Sequence, residues 1–512
     1  MEPDFSLKDA MLKASTVLIA SMVAGKALGY AYHFMFVRLF TQDQYGLFIY
    51  AWSMALFLCG LLIPNIPAAV TRYVAYRRGR SDEKGVRSAT WTGIVINALF
   101  GIVAAVLFSL AYVTGLTGLD LAMFGFILAI MLLNSQSSLI SAIIAGHRRP
   151  EVSSLFALVL QALRIAAVLL AAYIAASLGG LYLYTVAIFI LFLAFLVAYG
   201  RSAFGFGGGF DYKLAKRMSI FGIYTVFYVT ANNLLSLFSI FFIKYYMSAE
   251  SVAVYNIASL ASTVNLVFFY AVLQIFNPVV TELLGARKTK RAVFLTSYML
   301  ESFFLLFLPV FALTVVFARE ILTIFFTAAY AEGTVPLQIL AFGGFMTGVY
   351  LIFVELTAAG GRPQLNARAF GAGAAAQILL NVILVPLYGM VGAAIATVTS
   401  STIIFLISYA NVRTILRPSI SGRRLVKIVL ASVACIAIVL AVRHADMPIY
   451  ATIAASAFLA AFAYASCIIA LKALRKEDVS LADAVMEKSR LPEGIRGLVD
   501  RVLASGVQQV SP

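Results

Sequence analysis

The sequence predicts an all-α polytopic integral membrane protein with about fourteen transmembrane helices. Of its 512 residues, 62% are hydrophobic and only 12% are charged, and the mean hydropathy is +0.97. A soluble domain carries about twice that charged fraction. Since one span needs about 20 apolar residues, the composition supplies well over ten spans. It excludes soluble enzymes, disordered regulators and small disulfide scaffolds.

Fourteen apolar segments follow one another along the chain, separated by short joints that contain turn and helix-breaking residues. They lie near residues 14–40, 47–70, 92–115, 121–145, 154–178, 180–200, 218–244, 253–281, 293–317, 336–359, 369–387, 391–411, 427–443 and 449–471. The first segment is too long for a signal-peptide core and carries Lys26 and Arg38, so we expect it to be an uncleaved span. Cys59, Cys435 and Cys467 all fall within apolar segments, which predicts no disulfide framework.

The basic residues in the joints predict the orientation. With the N-terminus inside, 32 of the 38 lysines and arginines fall on one face, three on the other and three within spans. Because basic joints stay on the cytoplasmic side, we expect a multi-pass plasma-membrane protein with both termini in the cytoplasm. The net charge of +16 then faces anionic membrane lipids, and no nucleic-acid partner is expected.

A weak internal repeat relates spans that lie six apart. The motif Ala145–Pro150 after the fourth span resembles Ala359–Pro363 after the tenth, and Gln161 corresponds to Gln377 one span later. An even number of spans gives both copies the same orientation. We therefore expect two six-helix lobes related by an axis along the membrane normal, with two extra C-terminal helices.

The repeat predicts the division of the chain. We expect an N-terminal lobe at 1–200, a cytoplasmic loop at 201–217, a C-terminal lobe at 218–411, two additional spans at 412–471 and a cytoplasmic tail at 472–512. Apolar residues between Pro492 and Leu503 follow helical spacing opposite charged ones. They predict a short interfacial amphipathic helix, with a partly disordered tail as the alternative.

The sequence contains no pattern that indicates catalysis or a cofactor. It has no Gly-x-x-x-x-Gly-Lys-Ser/Thr loop to cradle ATP phosphates. His33, His147 and His444 are far apart in the sequence and predict no metal cluster. The loops reach only about 20 residues, which is short for the catalytic region of a membrane glycosyltransferase. We expect a non-enzyme without cofactors.

Several stretches resemble the polysaccharide (lipid-linked oligosaccharide) flippases of the multidrug/oligosaccharidyl-lipid/polysaccharide (MOP) superfamily. The most specific is Asn381–Thr397, preceded by Arg362–Asn366, with shorter matches at Gln44–Phe48, Ile321–Phe326 and Leu337–Leu340. The resemblance implies two six-helix lobes around a central cavity and export of an undecaprenyl- or dolichyl-linked sugar. It also implies contact with glycosyltransferases or a polymerase of the same pathway. The matched positions belong to turns and helix packing, so no binding residue follows from them.

Charged residues within spans are the candidate site residues, because each costs a few kcal/mol at the bilayer centre. Lys26 and Arg164 lie near the middle of spans 1 and 5, and Gln161 lies one turn before Arg164. The N-terminal lobe has no carboxylate at comparable depth. This predicts an anion-binding cavity, and a lipid pyrophosphate suits the guanidinium fork. Snorkelling, or structural pairing across the lobes, is the alternative.

The C-terminal lobe carries acidic and amide candidates instead. Glu301 and Glu355 are predicted either to bind a coupling ion or to balance the charge of Lys26 and Arg164. Four amides, which are candidates for sugar contacts or for helix bridging, are Asn232, Asn233, Asn265 and Gln274. The glycines in Gly25–Gly29 are predicted to form a close helix contact.

Three functions remain open at this stage. The first is the flipping of a lipid-linked oligosaccharide or polysaccharide precursor to the outer leaflet by alternating access. The second, a multidrug/cation antiporter of the same architecture, predicts buried carboxylates in the binding lobe. The third, a non-transporting scaffold for polysaccharide assembly, gives no reason for intramembrane charges to carry their desolvation cost.

Overall fold

The computed structural model describes the backbone over residues 5–147, 149–175, 177–204, 207–418, 420–443, 449–475 and 477–479. Within these ranges the side chains are described except at residues 5–19, 22, 150, 175, 224, 226–236, 267, 268, 271, 274, 275, 278, 449–451, 453 and 454. The amphipathic helix predicted between Pro492 and Leu503 lies outside the described residues.

The described chain is a succession of helices. They are α1 (Phe5–Leu39), α2 (Gln42–Leu62), α3 (Ile66–Gly79), α4 (Glu83–Val113), α5 (Leu121–Gly146), α6 (Pro150–Leu170), α7 (Leu178–Phe204), α8 (Tyr212–Tyr246), α9 (Ala249–Thr263), α10 (Leu266–Gly285), α11 (Thr289–Val316), α12 (Ala318–Glu320), α13 (Thr334–Ala359), α14 (Pro363–Arg413), α15 (Gly422–Arg443) and α16 (Ile449–Ala470). Wider π-helical turns follow α6 at Ala171–Ala175 and α12 at Ile321–Phe326, and a 3-10 turn precedes α13 at Ala328–Gly333.

The predicted class, an all-α membrane protein, is confirmed. Each of the fourteen predicted apolar segments coincides with helix in the structure, and no β-strand occurs in the described ranges. Nine of the described helices are long and apolar enough to cross a membrane. Two predicted segments are interrupted, at residues 63–65 between α2 and α3 and at residues 264–265 between α9 and α10. The total of fourteen crossings stays a prediction.

Short polar side chains in the joints start the helices. Thr41 accepts from the backbone N–H of Gln44, whose side chain in turn accepts from the N–H of Thr41, so that α2 begins with a capping box. The carboxylates of Asp120 and Asp211 accept from the backbone N–H groups of Met123 and Leu214 and so cap α5 and α8. These polar residues therefore set where α2, α5 and α8 begin.

The helix α14 consists of two antiparallel halves joined at one residue. Gly389 has φ +55° and ψ −133°, a left-handed conformation that only glycine adopts without strain. Beyond this joint the second half packs on the first, because Ser400 Oγ donates to the carbonyl of Gly373 at 2.8 Å. The two halves correspond to the predicted segments at 369–387 and 391–411.

The chain packs as two compact units. The first unit contains Met1–Gln274, Arg319–Gly343 and Arg362–Ile407, and the second contains Ile275–Ala318, Gly344–Gly361 and Ser408–Pro512. Buried apolar residues of α3, α4, α5 and α8 form one core of the first unit. Residues of α11, α15, α16 and the segment that follows α16 form a core of the second. The lobe boundaries drawn from the repeat stay predictions.

Glycines in the first unit serve two different purposes. In α2, a Cβ on Gly46 would collide with the backbone carbonyl of Ala249, so α2 and α9 approach closely there. In α1, no heavy atom lies within 4 Å of a Cβ built on Gly25 or on Gly29. The predicted close helix contact at Gly25 and Gly29 is therefore wrong, and these glycines border open space.

Candidate functional site

A cavity of about 490 Å³ in the first unit contains three of the predicted site residues, Lys26, Gln161 and Arg164. Its described lining comes from α1, α6, α9 and α10. These residues are Ser21, Gly25, Lys26, Gly29, Tyr30, His33, Ser154, Ala157, Leu158, Gln161, Arg164, Leu260, Thr263 and Tyr270. We call this space the cationic cavity.

Helical spacing explains how these residues come to face one space. On α1, Lys26, Gly29, Tyr30 and His33 follow the spacing i, i+3, i+4, i+7, which places them on one side of the helix. The lining residues of α6 recur at the same intervals, and two of the five, Ser154 and Ala157, are small. Small side chains and the glycines of α1 leave the volume that large apolar residues would fill.

Arg164 is held within the first unit without being neutralised. Its Nη1 donates to Gln161 Oε1 at 3.2 Å, and the guanidinium carbon lies 4.4 Å from the ring centre of Tyr32 and 4.5 Å from that of Trp52. Such cation–π contacts contribute about 1–2 kcal/mol each in a desolvated setting. The Nε atom is buried and has no hydrogen-bond partner among the described side chains. The guanidinium is thus oriented by aromatic rings and retains hydrogen-bonding capacity.

The charge of the cationic cavity is positive. Lys26 is exposed in this cavity, and no Asp or Glu is among its described lining residues. Neither Lys26 nor Arg164 takes part in the ion pairs found among the described side chains. The arrangement suits an anion with several oxygen acceptors, such as a phosphate or pyrophosphate.

A second cavity of about 250 Å³ adjoins the first and shares His33 and Arg164 with it. The other described lining residues are Ile49, Trp52, Ser53, Leu56, Leu237, Ile240, Tyr255, Asn256 and Ser259. Nδ1 of His33 lies 2.8 Å from the hydroxyl of Tyr45, which accepts from Nδ2 of Asn256 at 2.7 Å. Hydroxyl, amide and indole groups thus line this space, beside the guanidinium.

Glu301 lies in the second unit, where it belongs to a buried ion network. It is 1% exposed, and its Oε2 accepts from Arg424 Nη1 at 2.6 Å. Arg475 Nη2 lies 2.7 Å from the same oxygen, and the backbone N–H of Ser421 donates to Oε1 at 2.9 Å. Arg424, also 1% exposed, binds Asp478 with its other Nη. The protein itself therefore satisfies both oxygens of the Glu301 carboxylate.

Glu355 is not part of that network. In the second unit it accepts a short hydrogen bond from Nδ2 of Asn277, whose Oδ1 accepts from Thr281 at 3.2 Å. Glu355 is half-buried, and its recorded partner is an amide rather than a cation. Of the two predicted acidic residues, Glu355 is the one with a neutral environment among the described contacts.

The four predicted amide residues have different outcomes. Asn265 lies in the break between α9 and α10, two residues after Thr263, which lines the cationic cavity. Asn232, Asn233 and Gln274 lie in helices but outside the described side chains. Their predicted role in sugar contacts stays a prediction.

The aromatic and imidazole groups around Arg164 are not among the residues predicted from the sequence. Tyr32, Trp52 and His33 contact Arg164 or line the same cavities. His33 had a usable signal, since it lies seven residues after Lys26 on one helix face. Trp52 lies on α2 and approaches Arg164 of α6 only through tertiary packing, for which the sequence carries no local signal.

Comparisons with known families cover most of the chain. A family profile described as polysaccharide biosynthesis protein matches residues 11–284, more than half of the sequence, and a second, MatE, matches residues 225–383. The probable low-salt glycan biosynthesis flippase Agl15 of Haloferax volcanii is 26% identical over 190 residues, 37% of this chain and 40% of that protein. Matches to the curated relatives span less than half of each relative's length.

Solved structures with the same fold are known. The lipid II flippase MurJ in an inward closed conformation gives a TM-score of 0.69 at 14% identity, covering 88% of this chain and 98% of MurJ. An inward-facing multidrug resistance MATE transporter of the MOP superfamily gives 0.64 at 13% identity, covering 78% of this chain and 98% of the transporter. At these identities the likeness shows the fold that the chain shares with them.

Proposed function

The chain belongs to the polysaccharide biosynthesis protein family, within the MOP superfamily of membrane transporters, and on this premise we propose that it flips a lipid-linked glycan precursor. The substrate is an oligosaccharide or polysaccharide precursor of the polyprenyl-pyrophosphate type. It moves from the cytoplasmic to the outer leaflet of the plasma membrane by alternating access. Both termini are cytoplasmic in this proposal, and glycosyltransferases or a polymerase of the pathway are its partners.

The observation that carries the proposal is the charge of the cationic cavity. Lys26 and Arg164 line one space whose described residues include no carboxylate. A cation in an apolar surrounding is expensive unless an anion or water accompanies it. A pyrophosphate supplies that anion and matches the donor geometry of the guanidinium. The aromatic rings beside Arg164 keep its fork in one orientation.

The adjoining cavity supports the glycan part of the proposal. It shares Arg164 with the cationic cavity and offers the polar groups of Ser53, Asn256 and Ser259. Sugar hydroxyls both donate and accept hydrogen bonds, which suits this mixture of amide and hydroxyl groups. A pyrophosphate bound at Arg164 would place the first sugar of the glycan against these residues.

A multidrug/cation antiporter is the second candidate, and the MatE match favours it. A cation exporter needs a negative cavity to stabilise its substrate, and the carboxylates Glu301 and Glu355 are not among the residues that line the cationic cavity. The sign of the charge therefore favours the flippase. A non-transporting scaffold would gain nothing from a polar, positively charged cavity in an apolar protein.

The proposal is tested with the full-length protein in proteoliposomes that contain a fluorescent polyprenyl-pyrophosphate sugar. Lys26→Ala and Arg164→Ala should each lower the flipping rate at least tenfold, because a charge-assisted contact to phosphate is lost. Arg164→Lys should also impair flipping, since an ammonium keeps the charge but loses the bidentate fork. The rate is measured from loss of fluorescence when an impermeant quencher is added.

Arg38→Ala is the matched control. It removes the same charge from the same helix, but Arg38 donates to the carbonyl of Ile324 and does not line the cationic cavity. This variant should flip the lipid at close to the wild-type rate. Wild-type flipping by Lys26→Ala and Arg164→Ala at normal protein abundance would exclude the assignment, and complementation of a flippase-deficient strain checks the same outcome in cells.

A further inference from the structure

A third cavity, of about 300 Å³, lies in the first unit at the ends of helices that the sequence places on the cytoplasmic face. Its described lining includes Arg78 of α3, Glu83 and Arg87 of α4, His147 and Arg149 between α5 and α6, and Phe204 of α7. It shares no described residue with the cationic cavity. We call it the arginine cavity.

Contacts within the first unit position the residues that line the arginine cavity. Arg78 Nη1 donates to the backbone carbonyl of His147 at 2.9 Å. The ring of His147 stacks on that of Phe204 with centroids 4.0 Å apart, and its Nδ1 lies 2.8 Å from the carbonyl of Ile143. His147 is 7% exposed. These contacts position Arg78 and His147 beside the cavity, which Arg149 also lines.

The charge of the arginine cavity is positive and unbalanced. Its three arginines face one carboxylate, that of Glu83. Arg78, Arg87 and Arg149 take no part in the ion pairs found among the described residues. Burial lowers the pKa of His147, and the charges of Arg78 and Arg149 act in the same direction. The excess positive charge therefore belongs to the arginines.

The N-terminus of α6 lies at the same place. Arg149 is the N-cap residue of this helix and makes no side-chain hydrogen bond to its first turn. Pro150 at the first helical position has no N–H, and the N–H of Val152 donates to the carbonyl of Arg149 at 3.1 Å. The helix start therefore contributes a partial positive charge, which favours an anion. Glu151 in that turn is not among the residues that line the cavity.

We propose that the arginine cavity binds a phosphate group, independently of the substrate that the cationic cavity would take. Guanidinium groups from three elements converge on one polar space, and a tetrahedral phosphate can accept from several of them at once. The phosphate is that of an anionic phospholipid headgroup or that of a soluble phosphate compound. Both share the oxygen acceptors that the arginines require.

The second copy of the repeated motif indicates that the fold can form without this cavity. The corresponding motif six spans later reads Ala359–Pro363, with Gly361 where the first copy has His147. Gly361 has φ +72°, a left-handed turn conformation that suits glycine. A turn between two spans can therefore be built without the imidazole and with one arginine, Arg362, in place of two. The extra groups of the first copy are thus available for binding.

The test uses the full chain in the Lys26→Ala/Arg164→Ala background, so that the cationic cavity contributes no binding. Arg87→Gln/Arg149→Gln is compared with Arg80→Gln/Lys84→Gln. The control removes two exposed charges from the same face, and neither of its residues lines the cavity. One arm measures the binding of inorganic pyrophosphate by calorimetry, with the protein in phosphatidylcholine nanodiscs. The other counts phosphatidylglycerol retained from mixed phosphatidylcholine/phosphatidylglycerol nanodiscs by native mass spectrometry.

The expected result is at least tenfold weaker binding of one probe in Arg87→Gln/Arg149→Gln, with the control unchanged. Loss in the pyrophosphate arm identifies a soluble phosphate, and loss in the phosphatidylglycerol arm identifies a lipid headgroup. The proposal is overturned if the parent binds neither probe, or if both variants lose binding equally. If the glutamine variant is not monodisperse, Arg87→Lys/Arg149→Lys replaces it, and unchanged binding there also overturns the proposal.

Discussion

Two groups of charged side chains, one in each unit, meet the cost of leaving water in opposite ways. In the first unit, Arg164 rests between the rings of Tyr32 and Trp52, and its recorded side-chain hydrogen-bond partner is neutral Gln161. In the second, Glu301 and Arg424 are both 1% exposed and bind each other. The difference separates charge that is neutralised within the protein from charge that has no counter-ion among the described residues.

The network of the second unit is closed. Glu301 and Asp478 oppose Arg424 and Arg475, so that equal numbers of charges of each sign meet. The remaining donor, Nε of Arg424, binds the carbonyl of Ala473 at 2.9 Å. A buried ion network of this kind adds little net stability when complete, but removal of one member leaves an uncompensated charge. Three predictions follow from the contrast, in order of decreasing effect on stability.

Arg424→Ala should have the largest effect. It leaves Glu301 and Asp478 without their buried cation, which costs about 3–5 kcal/mol in comparable cases. We expect a much lower thermal midpoint in detergent and less folded protein in the membrane. Lys427→Ala is the control: it lies one turn further along α15 at a half-buried position, its ammonium donates to the carbonyl of Lys472 rather than to a carboxylate, and its removal should change the midpoint little. Equal midpoints in both variants would contradict the closed network.

Arg164→Ala should change the stability by less than about 1 kcal/mol, because the lost cation–π contacts are offset by relief of an uncompensated charge. Its flipping rate should nevertheless fall at least tenfold. The measurement pairs a thermal midpoint with the flipping assay on the same preparation. A drop in stability as large as that of Arg424→Ala would make Arg164 a structural residue and would end the contrast between the units.

Gly25→Leu should have the smallest effect on stability. The open space beside Gly25 accommodates a side chain without collision, and replacing glycine within a helix gains up to about 1 kcal/mol. The leucine would fill part of the cationic cavity, so we expect slower flipping with an unchanged or higher thermal midpoint. Gly46→Ala is the opposing control, since its Cβ collides with α9 and should destabilise the protein.

The sequence predicts the fold because hydropathy is a local signal. Each apolar segment coincides with helix. The resemblance to polysaccharide flippases is matched by the polysaccharide biosynthesis protein family profile, and the solved structures show the shared fold. Lys26 and Arg164 are found in the same way, as charges within apolar runs.

The partners of those charges could not be predicted. Arg424 is one of five basic residues in a joint that the sequence places in the cytoplasm, yet the structure buries it on α15 beside Glu301 of α11. A count of charges per joint gives the side of the membrane, and it carries no information about pairing between distant helices. Likewise, Gly25 and Gly29 match a packing motif but border open space. The sequence of α1 alone does not show which residues of other helices lie opposite these glycines.

The residues of the ion network are synthesised at different times, and this order has a consequence for the folding of the nascent chain. Glu301 and Arg475 are separated by 174 residues along the chain, which a ribosome adds in about 10–35 s. During that interval, Glu301 is in the nascent chain before its second cation exists. Arg475 and Asp478 follow α16, so the four-membered network closes only after the last described helix has been made. Chains that stop short of residue 475 keep the Glu301–Arg424 pair but lack the contacts that Arg475 and Asp478 make to it.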